Sequence, residues 1–307
     1  MLGLIARRLL MAIPTLLAII IISFLLMRFA PGGPFDGERP LAPETRAALE
    51  SAYGLDKSLF EQIYLYIGRI LTGDFGPSLV YRDFTVNELI AQGLPISLLI
   101  GGLALLLASM IGISGGLWAA SKAGQAVDEI LMLFATLLTA LPTFVTGPLL
   151  VLIFAMGFGL FPVSGMDDKG IAWLVLPIIA LSLPVAGAVM KLVRAGLAVQ
   201  LSQDHLRSAR ARGLAPMKRL FRHALRPALV PAASYLGPAA AGLLTGAVVI
   251  ETVFGLPGLG RYFVQGALNR DYPLVLGVVT LYAGLIIAFN LLADIIYGWL
   301  DPRMREG

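Results

Sequence analysis

An all-α, polytopic membrane protein with six transmembrane helices is the fold class this sequence predicts, and three observations predict it. Of 307 residues, 58% are hydrophobic and 14% charged, with a mean hydropathy of +0.84; soluble domains run at about 45–50% and about 25%. Six stretches carry no charge, at 9–27, 89–121, 130–166, 170–190, 227–250 and 272–293, and each reaches the ~20 apolar residues that cross a bilayer as a helix. Lys and Arg gather between the fourth and fifth stretches. The same composition excludes disorder, which needs low hydrophobicity and high charge. With no cysteine, a disulfide scaffold, thiolate metal sites and thiol catalysis are excluded too.

The first span, over about 9–29, lies between Arg8 and Arg28. It exceeds the roughly 7–15 apolar residues of a signal-peptide core and no small-residue cleavage site follows, so it reads as a retained helix. The 30–95 segment comes next. Between Arg28 and Glu88 it holds six bases and nine acids. Within it Leu59, Phe60, Ile63, Tyr64, Ile67, Ile70 and Leu71 recur at helical spacing, which predicts an amphipathic helix on the outer surface or against the bundle. Thr72-Gly73-Asp74-Phe75-Gly76-Pro77 ends it. The remaining spans are expected at about 96–120, 130–155, 171–192, 230–252 and 274–297, with a Gly- and Pro-rich exit loop over 157–166. Pro14, Pro142, Pro148, Pro177 and Pro184 fall inside spans, where neighbouring helices can satisfy the freed carbonyls, and read as kinks. The whole chain, 1–307, reads as one transmembrane domain.

Orientation follows from Lys and Arg in the loops. The 193–229 loop and its approach carry Lys191, Arg194, Arg207, Arg210, Arg212, Lys218, Arg219, Arg222 and Arg226 against the single acid Asp204. Arg7 and Arg8 stand at the N-terminus, Arg303 and Arg305 at the C-terminus. Six spans place these three regions on one side, so both termini and the basic loop are expected in the cytoplasm. Within the loop, Asp204 suits an N-cap and Gly213 a C′ position. Pro216 suits the first turn of a second helix reaching Arg226. Leu206, Ala209 and Gly213 share one face, where small residues would admit a close partner.

Several chemistries are missing. There is no GxxxxGK[ST] loop to hold ATP. No span interior carries a charge, Glu251 and Asp294 lying at span ends, which disfavours a self-sufficient secondary carrier or channel. Gly112-Ile113-Ser114-Gly115-Gly116 matches the GxSxG nucleophile pattern, but both histidines, His205 and His223, lie in the basic loop. An intramembrane hydrolase is thereby disfavoured, and Gly112 with Gly116 reads as a small-residue helix contact, as does Gly242 with Gly246. No His/Cys metal site is indicated.

Ser208-Ala209-Arg210-Ala211-Arg212-Gly213-Leu214, followed by Arg222-His223-Ala224-Leu225-Arg226-Pro227 and Pro231, resembles the EAA-type cytoplasmic loop of ABC-importer permeases. Aligned on Gly213, the acidic first position falls on Arg207 and the two alanines on Ser208 and Ala209. Only Ala209 and Gly213 match the general pattern, and the departure resembles the Arg–Ala-rich version of the peptide-permease branch. Further stretches are similar to that branch in order along the chain. They are Arg7-Arg8 with Pro14 and Ala30-Pro31-Gly32-Gly33-Pro34, Thr72-Gly73-Asp74-Phe75-Gly76-Pro77-Ser78, Pro142-Thr143-Phe144, and Pro162-Val163-Ser164-Gly165. Glu251-Thr252-Val253-Phe254-Gly255-Leu256-Pro257-Gly258-Leu259-Gly260, Asn269-Arg270-Asp271-Tyr272-Pro273, and Asp294 through Asp301-Pro302-Arg303 complete the set. The chain is identified as a member of the oligopeptide/dipeptide/nickel branch, most similar to the B-type subunit of oligopeptide importers.

The resemblance implies a type I ABC-importer permease fold in the bacterial inner membrane and import of oligopeptides, with dipeptide or nickel import as alternatives. It implies no catalytic residue and no cofactor on this chain, ATP and magnesium being held by partners. Those partners would be a second homologous permease, two ABC ATPase subunits and an extracytoplasmic peptide-binding protein, with peptide as substrate, the lipid bilayer as surroundings and no nucleic acid. The ATPases would dock on Leu206, Arg207, Ser208, Ala209, Arg210, Ala211, Arg212, Gly213 and Leu214. Thr245, Glu251 and Asn290 are expected at the translocation path or outer gate.

Overall fold

Apolar periodicity, caps and prolines set a chain of helices in a computed structural model that describes residues 2–30, 42–52, 54–81, 83–166, 170–215 and 224–300. The helices are α1 (Leu2–Phe29), α2 (Pro43–Ala52), α3 (Leu59–Leu71), α4 (Val86–Ser121), α5 (Ala126–Ala140), α6 (Thr143–Leu150), α7 (Val175–Leu201), α8 (Asp204–Ala211), α9 (Leu225–Ala228), α10 (Val230–Val253), α11 (Leu259–Leu268) and α12 (Tyr272–Leu300). Among the described residues there is no strand, only the bridge between Pro77 and Thr85.

Among the described residues, five helical stretches are long and apolar enough to cross a membrane: Ala6–Phe29, Val86–Ser121, Ile171–Leu201, Leu225–Val253 and Tyr272–Ile295. The sixth, expected as one span over 130–155, is a bent pair, Ala126–Ala140 with Thr143–Gly157, turned by 100°. Pro142 stands at the break as the N-cap of α6; its ring fixes φ and it has no amide to continue α5. Helix α4 begins at Val86, ahead of the expected 96. Thr85 and Glu88 form a capping box there, with the Thr85 amide and hydroxyl both donating to the Glu88 carboxylate. Ser58 and Glu61 start α3 the same way, and the hydrogen bonds from Ser58 hold the Glu61 carboxyl below its ordinary range.

The core is built on α4 and α7, the most extensive helix pair. A Cβ on Gly112 would lie 2.6 Å from Val189 Cβ, and one on Gly116 would lie 2.7 Å from the Met190 carbonyl. The two backbones therefore meet at the expected small-residue contact. Ser114 donates to the Met110 carbonyl of its own helix at 2.6 Å. The second expected contact is not formed among the described residues: none of them comes within 4 Å of a Cβ on Gly242, and Gly246 has only ordinary packing against Leu181. Helix α10 comes closest to α12 elsewhere, at Gly237, where a Cβ would overlap Ala293.

Two apolar clusters result. One unites α4, α7 and α10 around Ile100, Leu181, Val189 and Ile250; the other joins α4, α11 and α12 around Val86, Leu259 and Leu274. Helix α1 is peripheral and packs chiefly on α12, to which Arg8 is tied by an ion pair with Asp294 at 2.9 Å. On α7, Arg194 grips Asp128 of α5 in a two-pronged pair at 3.1 and 2.7 Å, the geometry in which guanidinium and carboxylate bind best. Arg8, Asp128 and the α7–α10 connection mark one end of the bundle. Arg28, Glu251 and Asp271 mark the other.

Candidate functional site

Two places gather the polar residues that the sequence singles out. The first is the basic connection between α7 and α10. Helix α8 follows α7 after only Ser202 and Gln203, so the connection leaves the membrane-spanning helix with little slack. The leucine of α8, Leu206, is 4% exposed and belongs to the main core cluster with Ala224 and Ala228. Leu206 was expected among the docking residues. It is instead an anchor into the chain's own bundle, because an isolated leucine on a polar helix gains most by leaving water. At the far end of the connection, a Cβ on Gly196 would overlap the Ala228 carbonyl, so α9 lies directly on the backbone of α7.

The opposite side of the connection is open. Ser208, Ala211, Arg212 and Gly213 are exposed and Leu214 is half-buried. Gly213 has φ +78° with no described residue within 4 Å of a Cβ, the left-handed C′ conformation that glycine adopts without steric cost. The side chains of Arg207, Ala209 and Arg210, and the expected helix from Pro216 as far as 223, lie outside the described residues.

The second place is the junction of α10 and α11 at the other end. Glu251, at 0% exposure, accepts from Ser97 Oγ at 2.6 Å and from the Gly260 amide at 2.7 Å. The Arg261 amide donates to it as well. Ser97 in turn accepts from the Leu259 amide at 2.9 Å. Gly258 is the N-cap of α11 and offers no side chain; a Cβ there would collide with the Glu251 carboxylate. A carboxylate from α10 thus satisfies the orphan amides at the start of α11 and meets the positive end of its dipole. Glu251, expected at the translocation path or outer gate, is closed off from solvent in this chain.

Next to it, Asp271 is also fully buried and accepts from Ser78 Oγ, from the Leu79 amide at 3.1 Å and from the Val80 amide at 3.2 Å. This closes the 75–81 loop onto the start of α12. The loop is held in addition by Asn87, which takes the Phe75 amide at 2.9 Å and gives to the Gly73 carbonyl at 2.6 Å.

Thr245, Glu251 and Asn290 do not converge. Asn290 is half-buried in a groove of about 150 Å³ between α1 and α12, with Arg8, Thr15 and Asp294; no residue of α10 lines it among the described residues. Thr245 is exposed and bonds the Gly242 carbonyl of its own helix at 3.0 Å. It belongs to an open stripe on α10 made of Ser234, Pro238, Gly242, Thr245, Val249 and Thr252. Apart from Val249, that face is small or polar, whereas the open face of α4 shows Leu98, Leu99, Leu103, Leu106 and Met110. Ser234, Thr245 and Thr252 recur at helical spacing, a signal in the sequence that the charge-free runs do not reveal. Among the described residues no group of three or more His, Cys, Asp or Glu could hold a metal ion.

Comparison with known proteins is consistent along the chain. The family model for binding-protein-dependent transport system inner membrane components matches residues 112–306. The oligopeptide transport system permease protein OppB of Salmonella typhimurium is 46% identical over 306 residues, covering 99% of this chain and 100% of its own length. The OppB of Haemophilus influenzae is 44% identical, with 99% and 100% covered. The dipeptide transport system permease protein DppB of Lactococcus lactis is 37% identical, with 98% of each chain covered. Among solved structures, a chain of the MetNI methionine ABC transporter in an inward-facing conformation aligns with a TM-score of 0.59 at 16% identity, over 69% of this chain and 96% of that one. This last likeness is one of fold.

Proposed function

The chain belongs to the family of binding-protein-dependent transport system inner membrane components, and from that premise we propose that it is the permease subunit of an ATP-driven oligopeptide importer. Identity of 46% to an oligopeptide permease, against 37% to a dipeptide permease, supports the longer substrate. The chain contributes no catalytic group: ATP and magnesium belong to two ATPase subunits, while a second homologous permease completes the path and an extracytoplasmic binding protein delivers peptide. The basic end faces the cytoplasm together with both termini.

The observation that carries this reading is the double anchoring of the 204–229 connection. Leu206 in the core and Ala228 on Gly196 fasten it to α7, and α9 runs directly into α10. A push on the exposed face at Ser208, Ala211 and Arg212 would reach α7 through Leu206, while α9, packed on α7, leads into α10. Helix α10 also carries the small and polar stripe through Thr245. We assign that stripe to the peptide path, shared with the second permease: a wide, hydrated wall without a deep pocket suits cargo of varied side chains. Glu251 is a latch that locks α10 to α11, and Asn290 lies outside the path.

The test is purification of the tagged chain in mild detergent with identification of what accompanies it, followed by peptide uptake in proteoliposomes. A second six-span permease and P-loop ATPases should copurify, and uptake should require ATP. Recovery of the chain with itself alone, together with ATP-independent uptake, would sink the proposal.

A further inference from the structure

At the end opposite the basic loop, a cavity of about 210 Å³ opens between α1, the turn after α2, α3, the 75–79 loop and the start of α12. It is many times the ~30 Å³ share of one water. Arg28, Lys57 and Arg69 line it, and among the described residues no Asp or Glu does. Phe24, Tyr66 and Phe75 form part of its apolar wall, with the rings of Phe24 and Tyr66 6.4 Å apart. Arg28 donates to the Leu55 carbonyl at 3.0 Å, which uses one of five N–H groups and holds the guanidinium in place. Glu61 acts electrostatically on Lys57 but is engaged by Ser58 and stands outside the cavity. Three cations facing an apolar wall fit an anion attached to an apolar body. Guanidinium forks match phosphate oxygens in particular.

A second observation locates the membrane surface. On its outward side α3 exposes Phe60 at 87%, Tyr64 at 78% and Leu71 at 82%. At 13 residues α3 is too short to span a bilayer. Large aromatic and aliphatic residues on such a helix belong at the headgroup level, and the cavity lies along the same helix. Arg28 sits at the end of a span, where a basic side chain reaches phosphates.

We propose that this cavity binds the phosphate headgroup of an anionic phospholipid of the outer leaflet, through Arg28, Lys57 and Arg69. The acyl chains run down the α1–α12 surface, and the lipid joins peripheral α1 to α3.

The test uses the intact transport complex in nanodiscs of phosphatidylcholine containing phosphatidylglycerol, with retained lipid counted by native mass spectrometry. Lys57 and Arg69 are exposed, so Lys57→Gln/Arg69→Gln leaves the bundle intact. It should lower phosphatidylglycerol retention at least tenfold, while Arg69→Lys alone should retain it to within about threefold. Arg28→Gln should lower retention as well. Equal retention by wild type and the double variant would overturn the proposal, as would equal retention of phosphatidylcholine and phosphatidylglycerol. Inorganic phosphate binding in lipid-free detergent as tightly as phosphatidylglycerol would overturn a lipid source. Displacement of phosphatidylglycerol by transported peptide would reassign the cavity to substrate.

Discussion

Replacing Glu251 by alanine tests the latch between α10 and α11. The carboxylate is wholly buried and takes hydrogen bonds from Ser97 Oγ at 2.6 Å and the Gly260 amide at 2.7 Å. Alanine strands a hydroxyl and an amide away from water, each costing roughly 1–3 kcal/mol. Loss of the charge from the start of α11 adds about 0.3–1 kcal/mol. The sum is roughly 2–7 kcal/mol before any collapse around the vacated space. Glutamine keeps the shape and one acceptor, and Ser97 can accept from the new amide, so Glu251→Gln should cost about 1–2 kcal/mol. Thermal unfolding of the purified complex in one detergent reads the difference. At about 2 °C per kcal/mol, the alanine variant should melt roughly 5–14 °C lower and the glutamine variant a few degrees lower. Ser97→Ala should fall between them and add little to Glu251→Ala, since both remove one network. An alanine variant as stable as wild type, with peptide-stimulated ATP hydrolysis intact, would refute the reasoning.

Three further outcomes follow from the packing. Gly196→Ala places a Cβ on the Ala228 carbonyl, so α9 must lift from α7. Peptide-stimulated ATP hydrolysis should drop severalfold while basal hydrolysis by the ATPases persists. Gly116→Leu drives a side chain into the backbone of Met190 at the α4–α7 contact and should abolish accumulation of folded protein, whereas Gly242→Leu, with open space around it, should accumulate normally; quantitative blotting of membranes compares them. Ala211→Glu, on the exposed face of α8, should leave insertion unchanged and lower peptide uptake at least tenfold. It tests docking more cleanly than Gly213→Glu, because φ of +78° at Gly213 would add backbone strain of order 1–2 kcal/mol to any side chain.

Much of this architecture is readable in the chain because bilayer burial is a strong filter. Charge-free runs locate five straight spans, and the Asp204 to Gly213 segment shows its helix and its stop. What escapes are features set by neighbours far away in sequence. The run over 130–166 gives no sign that Pro142 divides it by 100°, since proline also occurs in merely kinked helices. Gly112/Gly116 and Gly242/Gly246 share one spacing, yet among the described residues the first pair meets the backbone of a partner helix closely while Gly242 meets none and Gly246 has only ordinary packing. Leu206 looks like part of a docking face until Ala224 and Ala228 close over the same core. Glu251 is equally a surface charge or a buried one on sequence grounds. Its burial depends on Ser97, 154 residues away, and on an α11 N-terminus capped by a residue with no side chain.

The central claim is that separate ATPase subunits grip the open face of α8. The chain has no cysteine, so Ser208→Cys, at an exposed position, gives this subunit a single thiol. A short bifunctional reagent on that thiol should join the chain to a P-loop ATPase, and nucleotide trapping should change the yield. A chain that transports peptide but whose thiol reaches no ATPase under any nucleotide condition would contradict the account.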